Sequence, residues 1–330
     1  MEVLWYFQRK TFSPQEYESD SLRTGNLRDA AFESIRQSKF KEFHDTNMRT
    51  RFNLPYLEEI ADEYDFFVVG SDQVWNPKYK FPGRFLEFVP REKRIAYAAS
   101  IGLIELPEDL REIYKRKISE IPYVSVRERE GCDLVEKLTG KRPPQLIDPV
   151  FLLTGDEWRE ISKRPFWLNQ KKYERGYILN YFFRGKVPTK VKALAKERGL
   201  PAINLFDSKN FYHYITGIEE FLYLIDHATL FCTESFHGTA FASIFKRPFI
   251  VYRTNMLGEG RFSRIASLLD LFNLSERATN LKLEIELADP LKIDFTRRDE
   301  VLPIERAKAF TFLSEALGVN PLEKLLGSDA

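Results

Sequence analysis

Hydrophobic positions along the chain fall into short apolar runs separated by longer segments of mixed character. The apolar runs, rich in β-branched and aromatic residues, predict buried strands at 65–70, 94–100, 123–126, 145–147, 177–183, 202–205, 228–232 and 249–252. Apolar residues at helical spacing predict helices at 27–43, 107–121, 130–138, 189–198, 218–226, 238–245, 260–271 and 304–317. This alternation of strand, loop and helix predicts an α/β protein with parallel sheets and right-handed connections.

The stretch ATLFCTESFHGTAFASIFKRPFIVY, at 228–252, predicts a strand, a turn, a helix and a second strand. Thr233, Glu234 and Ser235 are candidate N-caps of the helix, and Pro248 ends it. Ligands of such folds bind where the carboxyl end of a strand meets the N-terminus of a helix. We therefore look for a functional residue at the start of this helix.

His237 stands at that point, after Ser235 and before Gly238 and Thr239. The positive end of the helix dipole favours the neutral imidazole, and the amides of the first turn can bind a phosphate or carboxylate. A bound anion would favour the protonated imidazole, which is a suitable general acid. We predict His237 to be catalytic and its three neighbours to bind substrate; the alternative is a structural histidine bonded to a backbone carbonyl.

A second polar segment, GSDQVWNP at 70–77, follows the first long apolar run. Ser71, Asp72 and Gln73 are suited to orient a sugar hydroxyl or accept a proton, or they cap the next turn. Trp75 would stack on a pyranose ring, or else fill the core.

Arg127 follows the strand predicted at 123–126, so its guanidinium would face the ligand edge of the sheet and grip a carboxylate or phosphate. The alternative is a surface ion pair, because Glu128 is next in sequence. Asp148 follows another short predicted strand and is interpreted as a residue that turns the chain.

Three further arginines, Arg253, Arg261 and Arg264, follow the strand predicted at 249–252. Arg261 and Arg264 lie three residues apart near the start of a helix, where cations oppose the helix dipole. That position favours an anion-binding role, and a solvated helix face is the alternative.

The length of 330 residues predicts two domains. We divide the chain into a Rossmann-like domain at 1–150, a linker at 151–175, a second Rossmann-like domain at 176–295 and a C-terminal helix at 296–330. The two domains would direct the carboxyl ends of their strands toward one cleft.

The charge of the chain is balanced, with 50 Lys and Arg against 49 Asp and Glu, so nucleic acid is not an expected partner. Cys132 and Cys232 lie far apart among apolar residues, which predicts neither a disulfide nor a metal site and favours a reducing compartment. No apolar run reaches the about 20 residues of a membrane span. We expect a cytoplasmic protein without a metal or cofactor.

Five segments in order resemble the polysaccharide pyruvyltransferase family. They are YDFFVVGSDQVWNP at 64–77, RIAYAASIG at 94–102, YVSVRE at 123–128, IDPVFLL at 147–153 and TESFHGTAFASIFKRPFIVY at 233–252. The resemblance implies two doubly wound, Rossmann-like domains facing a cleft, similar to the GT-B glycosyltransferase fold. The histidine and arginine of the family motifs fall on His237 and Arg127. A basic residue downstream of the histidine also binds the donor in this family, and Arg253, Arg261 and Arg264 are the candidates here.

The reaction implied by the resemblance moves the enolpyruvyl unit of phosphoenolpyruvate onto two hydroxyls of a sugar, as a ketal, and releases phosphate. The acceptor would be a sugar of a surface polysaccharide or of its lipid-linked precursor, which would bring the protein to a membrane surface. Association into homo-oligomers is left open.

The family usually begins with a strand, a turn and a helix that are not predicted before Tyr64, where the chain starts MEVLWYFQRK. We therefore expect the first strand–helix unit of the fold to be missing, or to lie upstream. Two other functions remain: a nucleotide-sugar glycosyltransferase of GT-B type, and a binding protein that is inactive because this unit is absent.

Overall fold

The computed structural model describes residues 3–6, 27–48, 60–79, 83–183, 187–253, 259–280 and 289–319. Within these ranges the strands are β1 (Val3–Tyr6), β2 (Phe66–Val69), β3 (Arg94–Ala99), β4 (Tyr123–Val126), β5 (Ile178–Tyr181), β6 (Ala202–Leu205), β7 (Leu230–Thr233), β8 (Phe249–Arg253) and β9 (Ala278–Asn280). The helices are α1 (Leu27–Asn47), α2 (Glu108–Ser119), α3 (Arg129–Thr139), α4 (Gly155–Glu160), α5 (Thr189–Arg198), α6 (Phe211–Tyr214), α7 (Ile218–Asp226), α8 (Phe236–Ile244), α9 (Glu259–Leu271) and α10 (Thr296–Leu317). The predicted α/β class is confirmed.

The first sheet has the order β1-β2-β3-β4, and its strands are parallel. Its edge strand β1 pairs with β2, with Val3 opposite Phe66 and Tyr6 opposite Val69. The expectation that no strand precedes Tyr64 is therefore wrong. The segment was missed because four residues are too few to show a period, and the pairing partner lies far away in the sequence.

The second sheet has the order β6-β5-β7-β8-β9 and is also parallel. The chain passes from β5 outward to β6 and then returns to β7 on the other side of β5. This reversal defines a doubly wound sheet, and it places the carboxyl ends of β5 and β7 at a topological switch point. Among the described strands the reversal occurs in the second sheet only, since the first sheet adds its strands in one direction.

Alternate residues of the strands pack into different hydrophobic clusters, as the two-residue period of a strand requires. In the first sheet, Phe67 and Val69 face the cluster beneath α2 and α3, whereas Val68 faces the other side. In the second sheet, Phe231 packs into the same cluster as Val68, and Cys232 packs beneath α5. One hydrophobic cluster, here called the shared core, thus covers one face of each sheet.

Three predicted segments differ most from the structure. The segment predicted as a strand at 145–147 forms a single bridge, between Val126 and Gln145. Helix α10 begins at Thr296 rather than at 304 and continues through Pro303, although proline cannot donate a backbone hydrogen bond there. The predicted linker at 151–175 contains α4, and its side chains Trp167 and Tyr173 lie in the shared core. The division into two domains stays a prediction.

Candidate active site

The carboxylate of Asp148 is the centre of a hydrogen-bonded cluster at the carboxyl ends of the first sheet. Its Oδ2 accepts hydrogen bonds from Ser71 Oγ at 2.7 Å and from Nη1 of Arg127. Its Oδ1 accepts the backbone N–H of Val150 at 3.1 Å. Nε2 of His237 lies 3.6 Å from the same Oδ2. One buried carboxylate therefore holds a hydroxyl, a guanidinium and an imidazole.

Two arginines from opposite sheets meet at a second carboxylate. Nη2 of Arg127 donates to Oδ1 of Asp72 at 2.9 Å, and Nη1 of Arg264 donates to the same oxygen at 2.8 Å. Arg127 follows β4 of the first sheet, whereas Arg264 lies on α9, after β8 of the second sheet. The ring of Phe236 lies 4.1 Å from the guanidinium carbon of Arg127 and 5.9 Å from that of Arg264. The cluster therefore spans the space between the sheets.

Burial and charge set the ionisation of these groups. Asp148 is 1% exposed and Arg127 is 5% exposed, whereas the side chain of Asp72 is 49% exposed. Burial alone would raise the pKa of Asp148, but Arg127 and then His237 hold it well below its ordinary value. Burial would likewise raise the pKa of Asp72, but Arg127 and Arg264 hold it below its ordinary value. Both carboxylates are therefore ionised at neutral pH.

Glu128 is held beside Arg127 by hydrogen bonds from the residues that follow β3. Its Oε1 accepts three hydrogen bonds, from Ser100 Oγ at 3.0 Å and from the backbone N–H groups of Ile101 and Gly102 at 2.9 and 3.0 Å. Its Oε2 lies 4.0 Å from Nε of Arg127, and both atoms are buried without a hydrogen-bond partner. The surface ion pair considered for Arg127 and Glu128 is therefore wrong, because both side chains are buried.

His237 is placed by the start of α8. Ser235 is the N-cap of this helix, and its Oγ accepts the backbone N–H of Gly238 at 3.2 Å. The helix begins at Phe236, so His237 is its second residue, directly after β7 at the switch point of the second sheet. The imidazole is 37% exposed. It can therefore reach both Asp148 and a molecule bound between the sheets.

A family profile described as polysaccharide pyruvyl transferase matches residues 6–255, which is more than half of the chain. The chain belongs to the polysaccharide pyruvyl transferase family. No curated protein matches it. Members of this family are transferases that act on polysaccharides, and the match covers every residue of the cluster except Arg264.

Three of the residues predicted around His237 have structural roles in this transferase. Thr239 is fully buried, and its Oγ1 donates to the carbonyl of Ser235 at 2.9 Å. A Cβ on Gly238 would lie 3.0 Å from the ring of Phe231, so glycine allows α8 to pack closely on β7. Ser235 is 6% exposed and is occupied as the N-cap. The prediction that these side chains bind substrate is not supported. The backbone N–H groups of Phe236 and His237, the first two residues of α8, have no acceptor within the helix.

Two residues of the loop after β2 also belong to the core of the transferase. Trp75 is fully buried, its Nε1 donates to the carbonyl of Arg84 at 2.9 Å, and its ring stacks on Phe85. Gln73 is 8% exposed, and its Oε1 accepts from Asn76 at 3.1 Å. Both side chains are buried, so the structure does not support sugar stacking by Trp75 or substrate binding by Gln73.

The structure distinguishes among the three downstream arginines. Arg264 is 7% exposed and belongs to the cluster through Asp72. Arg253 is exposed at the end of β8, and its guanidinium lies 5.3 Å from the ring centre of Phe262. The side chain of Arg261 lies outside the described residues. Arg264 is thus the arginine that the fold brings to Arg127.

Asp148 was not predicted as a functional residue. The signal was present, because Asp148 follows a short apolar segment in the motif IDPVFLL, as Arg127 follows β4. Its significance depends on Ser71, Arg127 and His237, which are distant in sequence and meet only in the folded chain.

Within the described ranges, three or more His, Cys, Asp or Glu side chains do not gather in a way that would hold a metal ion. The helices that the structure describes include none with the length and apolar character to cross a bilayer.

Proposed function

We propose that this transferase moves the enolpyruvyl unit of phosphoenolpyruvate onto two hydroxyls of a sugar and releases phosphate. The observation that supports this donor is the convergence of two buried guanidinium groups, Arg127 and Arg264, on one carboxylate oxygen beside His237. Phosphoenolpyruvate carries a carboxylate and a phosphate, which planar guanidinium groups bind through paired hydrogen bonds. Together with the amides at the start of α8, the arginines form a binding site suited to such an anion.

The proposed reaction starts with proton transfer. His237, oriented through Nε2 by Asp148, donates a proton from its other nitrogen to the methylene carbon of the donor. Positive charge develops at the neighbouring carbon, where a sugar hydroxyl forms a C–O bond and loses its proton. The second hydroxyl then forms a C–O bond to the same carbon and loses its proton, and the phosphate leaves with the electrons of the broken C–O bond. The arginines stabilise the phosphate while it leaves.

Binding of the donor is tested first. Phosphoenolpyruvate should raise the melting temperature of the wild-type protein, and nucleoside diphosphates should not. The opposite result would replace the proposal by a nucleotide-sugar glycosyltransferase.

Turnover is tested by phosphate release in the presence of glycan and lipid-linked sugar acceptors. We expect release only with an acceptor, and we expect His237→Gln to lower its rate by about 100-fold or more. The variant Arg253→Ala is the matched control, because Arg253 lies outside the cluster. Equal release by His237→Gln and wild type would contradict the proposed mechanism.

Several finer points stay predictions within this proposal. They are a surface polysaccharide or its lipid-linked precursor as acceptor, contact with a membrane surface, a cytoplasmic location, independence of metals and cofactors, the absence of nucleic acid partners, and a GT-B-like arrangement of two domains. The inactive-protein alternative loses its premise, because β1 is present.

A further inference from the structure

The guanidinium of Arg127 is surrounded by three carboxylates of the protein itself. Nη1 is bonded to Asp148, Nη2 is bonded to Asp72, and Nε faces Glu128 Oε2 at 4.0 Å. Each edge of the guanidinium thus already faces an anion. A substrate anion can bind Arg127 bidentately only if one of these carboxylates gives up its place.

Asp72 is the carboxylate that can leave. The side chains of Asp148 and Glu128 are 0% and 1% exposed, whereas that of Asp72 is 49% exposed. Asp148 is held by Ser71 and a backbone amide, and Glu128 Oε1 accepts three hydrogen bonds. The hydrogen bonds of the Asp72 carboxylate within the described part of the chain go to the two arginines, so Asp72 can rotate into solvent without breaking other parts of the fold.

The net charge of the cluster also favours departure of one carboxylate when an anion binds. Two guanidinium groups face three carboxylates, which leaves one excess negative charge among these five side chains. A cluster with this charge repels an anionic donor. Moving the carboxylate of Asp72 away from the two arginines leaves two guanidinium groups facing two carboxylates, and it leaves two hydrogen-bond donors pointing at the vacated position.

We propose that Asp72 occupies, in the free enzyme, the place on Arg127 and Arg264 that an anionic group of the donor takes, and that the displaced Asp72 is the general base for the attacking sugar hydroxyl. This inference rests on the proposed function. Donor binding and deprotonation of the sugar hydroxyl are thereby coupled, because the carboxylate of Asp72 becomes available as a base only after the donor is bound.

The hydroxyl oxygen forms a bond to the central carbon of the donor, and its proton moves to the carboxylate of Asp72. The electrons of the carbon–carbon double bond take the proton supplied by His237. The groups that face Asp72 are Arg127 after β4, Arg264 on α9 and His237 on α8. Leaving the two arginines removes the main cause of its low pKa, so the displaced carboxylate is a stronger base than the bound one.

The test is Asp72→Asn, with Asp72→Ser as a second variant in case the first does not fold. Isothermal titration with phosphoenolpyruvate, and with inorganic phosphate as a simpler probe, should show about tenfold or more tighter binding to the variants, because the competing anion is gone. Phosphate release should fall about 100-fold or more at saturating donor. The acidic limb of the kcat–pH profile, which reports protonation of the base, should disappear. Asp65→Asn, an exposed aspartate at the other end of β2, is the control.

Weaker anion binding by the Asp72 variants would overturn the inference, since Asp72 would then hold the arginines in place rather than compete for them. Turnover within threefold of wild type would also overturn it, since the base would lie elsewhere. If wild type binds inorganic phosphate but not phosphoenolpyruvate, the proposed function fails. In that case the affinities of wild type and of the Asp72 variants for inorganic phosphate still decide whether a bound anion displaces Asp72.

Discussion

Nε2 of His237 lies 3.6 Å from Oδ2 of Asp148, so the start of α8 in the second sheet meets the carboxyl edge of the first sheet. The same oxygen is bonded to Arg127. The imidazole and the guanidinium therefore share one buried anion, and a change at Asp148 should affect both.

Asp148→Asn should lower both activity and stability. The substitution leaves the buried Arg127 with less compensating charge, which costs about 3–5 kcal/mol when a buried ion pair loses one partner. Urea unfolding at pH 7 measures the loss of stability, with Asp65→Asn as control. Equal free energies of unfolding for Asp148→Asn and wild type at pH 7 would contradict the buried pair.

The pH dependence of this stability has a definite sign. Because the folded-state pKa of Asp148 is lowered, its contribution is complete above the unfolded-state pKa of about 3.9 and is lost as the pH falls below it. The stability difference between wild type and Asp148→Asn should therefore shrink progressively as the pH falls from 5 to 2, and part of it should remain at pH 2, because the folded-state pKa of Asp148 lies well below its ordinary value. A difference that stays constant over this range would show that the carboxylate is not paired.

Arg264→Ala should raise the KM for the donor about tenfold or more, whereas Arg253→Ala should leave it within about twofold. The reason is that Arg264 is buried beside Arg127, and Arg253 is exposed at the end of β8. Steady-state kinetics at saturating acceptor measure the KM for the donor in each variant. A larger effect of Arg253→Ala than of Arg264→Ala would assign donor binding to the end of β8 rather than to the cluster.

Trp75→Phe should destabilise the protein by about 2 kcal/mol, because it removes buried volume and the hydrogen bond to the carbonyl of Arg84. The KM for the acceptor should not change, since the ring of Trp75 is fully buried. Thermal unfolding and acceptor kinetics are measured on the same preparation. A raised KM with unchanged stability would restore the sugar-stacking interpretation.

His213 should make the fold sensitive to mild acid. Burial, with a further contribution from Lys172, lowers its pKa to about 4. A lowered folded-state pKa means that the unfolded chain binds the proton first, so stability falls as the pH drops from about 6.5 toward 4, with a limiting slope of about 1.4 kcal/mol per pH unit. His213→Gln should show a flatter dependence in urea titrations across this range. Parallel curves for variant and wild type would contradict the buried neutral histidine.

The sequence was sufficient for elements that a continuous apolar run or an N-cap marks. The strand around Phe67 was predicted from its apolar run, and the helix after Ser235 was predicted from its N-cap. Asp148, by contrast, gains its meaning from Ser71, which lies 77 residues away, and no local pattern reports such a contact.

The same limit explains the residues whose predicted roles were ambiguous. Arg253 and Arg264 look alike in sequence, and only the path of α9 brings one of them to Asp72. A tryptophan such as Trp75 is equally suited to a core and to a sugar site, and the packing of Phe85 decides between them. The roles of such residues depend on packing between segments that are distant in sequence, which local patterns do not report.

The shared core has a consequence for dissecting this protein. Val68 and Tyr97 of the first sheet and Leu179 and Phe231 of the second lie in one hydrophobic cluster, together with Trp167 from the segment between the sheets. Separating the first sheet from the second would expose a hydrophobic surface on each half of the chain. Separately produced halves should therefore aggregate, and co-expressed halves should reassemble.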